Sequence, residues 1–173
     1  VVVLTGAGPK AFVAGADISQ FEAKRADAAA AAAYGEISKA GWRAIGALQK
    51  PLIAMIRGYC IGGGLALAMK ADVRIASEDS QFGIPAAKLG IAYGYDGVKN
   101  LVDLVGPALA KSILFTGRFM KADEALRIGL LNEVVAVEAL ERTVQDYAAT
   151  VISNAPLSIK AAKLTVEQIV RGD

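Results

Sequence analysis

Three consecutive glycines, Gly62 to Gly64, form the stretch of this sequence that is best suited to holding negative charge. They follow a short apolar run bounded by Pro51 and Gly58, which has the length and the flanking residues of a buried strand. Residues 65–69 behind them favour helix. Ordering glycine has a large entropic cost, so such a run indicates a sharp turn or a close approach of the backbone. A turn from a strand into a helix start presents unpaired backbone N–H groups, which bind anions.

The residue counts exclude several kinds of catalysis. The 173 residues contain no histidine and a single cysteine, Cys60. Within this chain, Ser-His-Asp and Cys-His catalysis and His-ligated metals are therefore excluded. One cysteine forms neither an internal disulfide nor a cysteine-based zinc site, and we predict Cys60 to be a small buried apolar residue. Proton transfer must use carboxylates, tyrosine, lysine, Cys60 or water.

The composition is that of a globular protein. The chain is 54% apolar and 21% charged, with a formal net charge of +2, which does not favour a nucleic-acid surface. Its uncharged stretches are shorter than the ~18–20 residues that span a bilayer, and no signal peptide is visible. We therefore predict a cytoplasmic protein with neither nucleic-acid nor membrane partners. The chain begins without Met and ends just after a helical pattern, so we expect truncation at both ends.

Short strands and helices alternate in the first part of the sequence, and helices alone follow. The strands are predicted near residues 1–4, 12–18, 52–56, 72–76, 81–85 and 131–135. Helices are predicted over residues 19–49, 65–69, 100–105, 108–115, 122–128, 137–153 and 156–170, with a glycine-rich loop over 89–97. This order predicts an α/β core over residues 1–135 and the start of a C-terminal helical region over 136–173.

Several segments together resemble the crotonase (enoyl-CoA hydratase/isomerase) superfamily. They are residues 10–18, 50–54 with the glycine turn, 81–90 and 116–135, and they occur in the order and spacing of that family. The resemblance implies a crotonase-like (ClpP/crotonase) spiral of stacked ββα turns with a C-terminal helical region. It also implies acyl-CoA thioester substrates and a homotrimer or a dimer of trimers. No cofactor and no metal are expected, since coenzyme A is part of the substrate.

The resemblance further implies an oxyanion hole formed by two backbone N–H groups, those of Ala16 and Gly63. A thioester carbonyl that becomes an enolate gains charge on oxygen, and each fixed donor is worth roughly 3–4 kcal/mol. Residues expected to bind the substrate are Ala14, Ala16, Asp17, Ile18, Gly62, Gly63 and Tyr95. For Asp17 itself, a carboxylate that stabilises the turn is favoured over a catalytic base.

The sequence departs from the hydratases of this family at the two positions of their catalytic glutamates. Those positions hold Ala66, two residues past the glycine run, and Ala86, just after Pro85. Alanine neither activates water nor delivers a proton. Water addition by the usual route is therefore not expected to be efficient.

Other groups near the predicted pocket could supply the missing chemistry. Tyr93, Tyr95 and Asp96 belong to a stretch that carries variable catalytic groups in this superfamily, and residues 89–93 are similar to the methylmalonyl-CoA decarboxylase branch. Tyr93 and Asp96 are thus catalytic candidates, with a pocket-lining aromatic and a helix-cap carboxylate as the alternatives. Three functions stay open: hydration or isomerisation with substitute groups, decarboxylation using Tyr93, and acyl-CoA binding with weak catalysis.

Overall fold

The computed structural model of the chain describes residues 1–15 and 28–172. Eight strands are assigned within those ranges: β1 (Val2–Thr5), β2 (Ala11–Val13), β3 (Leu52–Ile56), β4 (Tyr59–Ile61), β5 (Val73–Ser77), β6 (Gln81–Gly83), β7 (Phe119–Lys121) and β8 (Glu133–Val135). The α-helices there are α1 (Ala28–Gly46), α2 (Gly63–Ala68), α3 (Tyr95–Thr116), α4 (Ala122–Arg127), α5 (Leu140–Ser153) and α6 (Pro156–Arg171). Short 3₁₀ helices span Pro85–Leu89 and Val137–Ala139.

Two compact units can be distinguished, one formed by residues 1–15 with 49–173 and the other by residues 16–48. Helix α1 belongs to the second unit, and every strand named above belongs to the first. The division predicted at residue 135 separates an α/β core from a helical region by their secondary structure, not by compactness, and it stays a prediction.

The strands of the first unit form two four-stranded sheets. The first sheet has the order β1-β3-β5-β8 and is parallel throughout. The second has the order β2-β4-β6-β7, in which only β7 is antiparallel. Each consecutive pair of strands, beginning with β1 and β2, contributes one strand to each sheet. This repeated alternation is the predicted spiral, and the predicted α/β fold class is confirmed.

The apolar run after Pro51 forms β3, a central strand of the first sheet. Leu52, Ile53, Ala54 and Ile56 are all buried, the continuous pattern expected of a parallel strand covered on both faces. Helix α5 covers this sheet, because Leu140 and Val144 pack with Ile53 and Ile75 in one apolar cluster.

Helix α6 is attached to the same region by Lys163. The Nζ atom of Lys163 donates to Asp72 Oδ2 at 2.8 Å and to the carbonyl oxygen of Lys50 at 3.1 Å. Asp72 Oδ2 also accepts a 2.7 Å hydrogen bond from the backbone N–H of Leu52. A single carboxylate thereby connects the C-terminal helix to the start of β3.

One predicted boundary differs from the structure and another is confirmed. The predicted loop over residues 89–97 is wrong in its last three residues, because α3 begins at Tyr95. The predicted break at Gly106 and Pro107 is confirmed, because Gly106 is non-helical, with a φ of 77°, and separates two helical stretches of α3. A glycine in this left-handed conformation lets the chain turn and resume as helix, and Pro107 then occupies a helix-start position, where its missing N–H costs nothing.

None of the helices within residues 1–15 and 28–172 is long and apolar enough to cross a bilayer.

Candidate active site

The glycine run lies where β4 ends and α2 begins. The helix start was predicted, but the strand predicted to lead into it was β3, and β4 was not predicted. Gly62 has φ 57° and ψ −117°, a conformation that residues with a side chain rarely adopt. Its N–H donates a 2.8 Å hydrogen bond to the carbonyl oxygen of Gly83, the last residue of β6. The turn is therefore held against the neighbouring strand of the second sheet.

Gly64 brings the start of α2 against the end of β2. A Cβ atom added to Gly64 would lie 1.9 Å from the carbonyl oxygen of Val13, so only glycine allows this approach. A Cβ atom added to Gly15, just beyond β2, would lie 3.9 Å from the carbonyl oxygen of Ile61. The carboxyl ends of β2, β4 and β6 thus meet at the turn, and α/β proteins commonly bind ligands at this end of a sheet.

Gly63 supplies the backbone donor of the turn. The residue is exposed, and its N–H has no hydrogen-bond acceptor among the residues that the structure describes. The carbonyl oxygen of Gly62, which precedes this N–H, accepts a 3.0 Å hydrogen bond from the N–H of Ala66. Since α2 has only six residues, no helix-dipole contribution is assigned to this N–H, and its fixed position is the property that the structure shows.

Tyr93 is the predicted catalytic candidate that the structure brings to the turn. Its hydroxyl donates a 2.7 Å hydrogen bond to the carbonyl oxygen of Gly62. Burial, followed by the nearby Cys60, raises the pKa of Tyr93 to about 12. The phenol is therefore protonated at neutral pH, as a hydrogen-bond donor must be.

Tyr95 and Asp96 occupy the first turn of α3 instead of a loop. The side chain of Tyr95 is 78% exposed, and Asp96 is also exposed. Within residues 1–15 and 28–172, no hydrogen bond joins either side chain to the glycine turn. An acidic residue in the first turn is the arrangement of the helix-cap alternative, although the Asp96 side chain makes no capping bond there. The catalytic role of Asp96 and the substrate-binding role of Tyr95 stay predictions.

The two glutamate positions of the hydratases lie in elements that border the turn. Ala66 is half-buried in α2, three residues after Gly63, and therefore on the same side of the helix. Ala86 is 9% exposed in the 3₁₀ helix that follows β6. Both positions present a methyl group where a carboxylate would carry a proton.

Three predicted site residues, Ala16, Asp17 and Ile18, lie outside the described residues. The second oxyanion donor, assigned to Ala16 by resemblance, consequently stays a prediction. Ala14 is described and is exposed just beyond the end of β2. It therefore lies at the strand end that meets the turn.

Cys60 is fully buried in β4, which confirms its prediction as an apolar residue. Burial raises the pKa of its thiol, so the reactive thiolate is not available. The described part of the chain also contains no cluster of three or more His, Cys, Asp or Glu residues that could hold a metal ion.

A separate cavity of about 370 Å³ opens at the other ends of the same strands. It is lined by Pro9, Lys10, Gly58, Tyr59, Asp79 and Gln81. Tyr59 and Gln81 are the first residues of β4 and β6, whereas the glycine turn lies at their carboxyl ends. This cavity is therefore distinct from the candidate active site.

The hydrogen bond between Tyr93 and Gly62 is the feature that sequence reasoning missed. Tyr93 was identified through its position in a variable stretch, and its partner was not. In the sequence, the only local indication of a contact was the presence of glycines close to Tyr93. The structure shows that Gly97 is one that lies against it, since a Cβ atom added there would be 3.1 Å from the Tyr93 ring. Small residues beside an aromatic residue are common enough that this signal alone does not identify a contact.

Known proteins resemble this chain over nearly its whole length. The sequence model of the enoyl-CoA hydratase/isomerase family matches residues 1–172. The chain is 43% identical to a short-chain-enoyl-CoA hydratase of Clostridium acetobutylicum and 39% identical to a crotonyl-CoA hydratase of Syntrophomonas wolfei. These alignments cover 99% and 100% of this chain but only 65% and 66% of the two relatives.

A solved structure gives the same result. The crystal structure of an enoyl-CoA hydratase from Bacillus anthracis superposes with a TM-score of 0.93 at 34% identity, covering 99% of this chain and 66% of that one. The resemblance predicted from the sequence motifs is confirmed. The chain belongs to the enoyl-CoA hydratase/isomerase family, within the crotonase superfamily.

Proposed function

We propose that the protein is an enzyme acting on acyl-CoA thioesters, and that the Gly63 N–H binds the thioester oxygen while that oxygen carries enolate charge. One observation carries the proposal: Gly63 is exposed, and within residues 1–15 and 28–172 its N–H has no acceptor, while the groups beside it in the turn are fixed. The N–H of Gly62 is bonded to Gly83, and the carbonyl of Gly62 is bonded to Ala66 and Tyr93.

A donor held in this way is effective because it need not reorganise when charge develops. One such donor is worth roughly 3–4 kcal/mol in the transition state of acyl chemistry. The Ala16 N–H is the second donor that the sequence resemblance implies. The family membership supports an acyl-CoA substrate, since two relatives are named for hydration of short-chain enoyl-CoA and crotonyl-CoA.

The reaction that follows depends on the source of protons. Ala66 and Ala86 provide none, so we expect hydration of enoyl-CoA by a two-carboxylate route to be weak. This absence favours a second candidate function, decarboxylation of a malonyl-type CoA thioester. In that reaction the electrons of the breaking C–C bond form the enolate as CO₂ leaves, and the carbon then takes a proton from water. No carboxylate base is needed to start it.

Replacing Gly63 tests the proposed donor. Gly63→Pro removes the N–H, and Gly63→Ala retains it, so the two variants form a matched pair. Turnover of crotonyl-CoA, a 3-enoyl-CoA and methylmalonyl-CoA is measured for each, and thioester binding is measured by calorimetry. On whichever thioester the wild type converts, we expect Gly63→Pro to lower kcat by about 10²–10³-fold. Gly63→Ala should retain at least ten times more activity than the proline variant.

Three outcomes contradict the proposal in different ways. Full turnover in Gly63→Pro shows that the N–H is not used. Equal losses in both variants indicate that packing of the turn, rather than its donor, determines activity. Thioester binding without turnover of any of the three compounds by the wild type favours the acyl-CoA-binding alternative.

A further inference from the structure

We propose that Tyr93 is a positioning residue whose hydroxyl orients and polarises the peptide unit carrying the Gly63 N–H. This inference rests on the proposed function, because it assigns to Tyr93 the alignment of the oxyanion donor. It differs from the role that sequence resemblance implies for Tyr93, in which the phenol itself acts on the substrate.

The geometry of the peptide bond connects the two groups. The carbonyl of Gly62 and the N–H of Gly63 belong to one planar unit, so an atom that fixes the direction of the carbonyl also fixes that of the N–H. Tyr93 holds this carbonyl oxygen at 2.7 Å. The hydroxyl thereby determines the direction of a donor that it does not touch.

This peptide needs such a restraint more than most others do. Glycines lie on both of its sides, and glycine restricts the rotation of a peptide plane less than any other residue does. The N–H of Ala66 contributes a second, longer hydrogen bond of 3.0 Å to the same oxygen. Among the described residues, removing the Tyr93 hydroxyl would leave that single hydrogen bond to define the orientation.

The hydrogen bond also strengthens the donor. When a carbonyl accepts hydrogen bonds, electron density moves toward its oxygen and the N–H of the same amide becomes a better donor. Such cooperative effects amount to roughly 10–30% per bond in condensed phases. The contribution should therefore appear in the transition state, where the charge on the thioester oxygen is greatest.

Tyr93 is itself held in place, and its single proton is in use. Its ring lies so close to Gly97 in α3 that an added Cβ atom would be 3.1 and 3.2 Å from two ring carbons. A phenol has one O–H to donate, and that of Tyr93 is donated to Gly62. Protonating a substrate carbon would require the hydroxyl to leave this arrangement.

The test measures how strongly the site polarises a bound thioester. The probe is crotonyl-CoA labelled with ¹³C at its carbonyl, and isotope-edited infrared spectroscopy reports the carbonyl frequency on the wild type and on Tyr93→Phe. We expect a shift to lower frequency on the wild type and a clearly smaller shift on the variant. On a thioester that the wild type converts, kcat should fall by about tenfold with KM changed less than twofold, in line with the loss of one hydrogen bond.

Two further variants support the interpretation. Tyr147→Phe removes a phenol hydroxyl from α5 and should leave both the frequency and kcat unchanged. Gly97→Ala keeps the Tyr93 hydroxyl but displaces its ring, and it should weaken the shift in the same direction as Tyr93→Phe. It also provides a test if the phenylalanine variant does not fold.

The possible results separate this inference from the proposed function. If the bound thioester shows no shift on the wild type, the oxyanion donor itself is refuted. A normal shift on the wild type that Tyr93→Phe leaves unchanged overturns the positioning role alone. An unchanged shift with a large loss of kcat also overturns it, and assigns Tyr93 to proton transfer with the substrate.

Discussion

The hydroxyl of Tyr93 lies 2.7 Å from the carbonyl oxygen of Gly62, although the two residues are 31 positions apart in the sequence. This contact connects the segment before α3 with the turn between β4 and α2. It is a side-chain bond to a backbone group, so the geometry of the turn depends on the identity of residue 93.

Tyr93 should titrate about two pH units above an ordinary tyrosine. Burial, followed by Cys60, raises the pKa of Tyr93 from its usual value of 10 to about 12 in the folded protein. The unfolded state therefore loses this proton first, and its contribution to stability is fully present below pH 10 and is lost between pH 10 and 12. Ultraviolet absorbance of the phenolate measures the transition, and Tyr93→Phe serves as the comparison.

The difference between the two titrations isolates Tyr93 from the other tyrosines. We expect the wild type to show one transition near pH 12 that the variant lacks. Identical titration curves for the two proteins would show that Tyr93 is neither buried nor bonded as described.

Placing glutamates at the two positions where the hydratases carry them should raise hydration activity. In the double variant Ala66→Glu with Ala86→Glu, crotonyl-CoA hydration should rise by about 10²-fold or more, because positioned carboxylates commonly contribute 10²–10⁴-fold. Position 86 is 9% exposed, and such burial would raise the pKa of a carboxyl group there, which suits a general acid. The loss of the crotonyl-CoA double bond is followed by ultraviolet absorbance.

Ala87→Glu is the control for this gain, since Ala87 is the exposed neighbour of Ala86 and its glutamate should add no activity. If the wild type hydrates crotonyl-CoA as fast as the double variant, the alanines do not limit hydration. The protein would then use another source of protons.

Gly64 should tolerate no side chain. Because a Cβ atom there would lie 1.9 Å from the carbonyl oxygen of Val13, Gly64→Ala must displace backbone, and we expect a loss of about 3 kcal/mol in the free energy of unfolding. Gly8→Ala is the matched control, since an added Cβ atom meets no heavy atom within 4 Å in the described ranges. Its effect should be within about 0.5 kcal/mol.

Urea denaturation of the two variants measures these differences. Equal stability of Gly64→Ala and Gly8→Ala would mean that α2 does not pack against the end of β2. That result would contradict the finding that the carboxyl ends of β2, β4 and β6 meet at the glycine turn.

The features that the sequence predicted correctly depend on local patterns. The buried strand after Pro51, the glycine turn and the helix behind it follow each other within some twenty residues, and each has a clear composition. The division of the strands between two sheets came from the family resemblance, because short apolar strands carry no information on their neighbours.

What the sequence could not predict depends on contacts between distant segments. The start of α3 at Tyr95 lies between Gly94 and Gly97, and glycine has a low helix propensity, so tertiary packing must outweigh it. Leu101 and Val105, both buried on this helix, provide that packing. The bond from Tyr93 to Gly62 is likewise a consequence of how α3 and β4 are brought together.

The apolar cluster under α5 has a consequence for how the protein is made. Ile53 lies in the middle of the first sheet, and its partners Leu140 and Val144 are synthesised much later. On the ribosome, a nascent chain that ends before residue 140 leaves this face of the sheet open to water and to other chains. Folding dominated by such distant contacts is slow, so the growing chain is exposed to aggregation until α5 emerges.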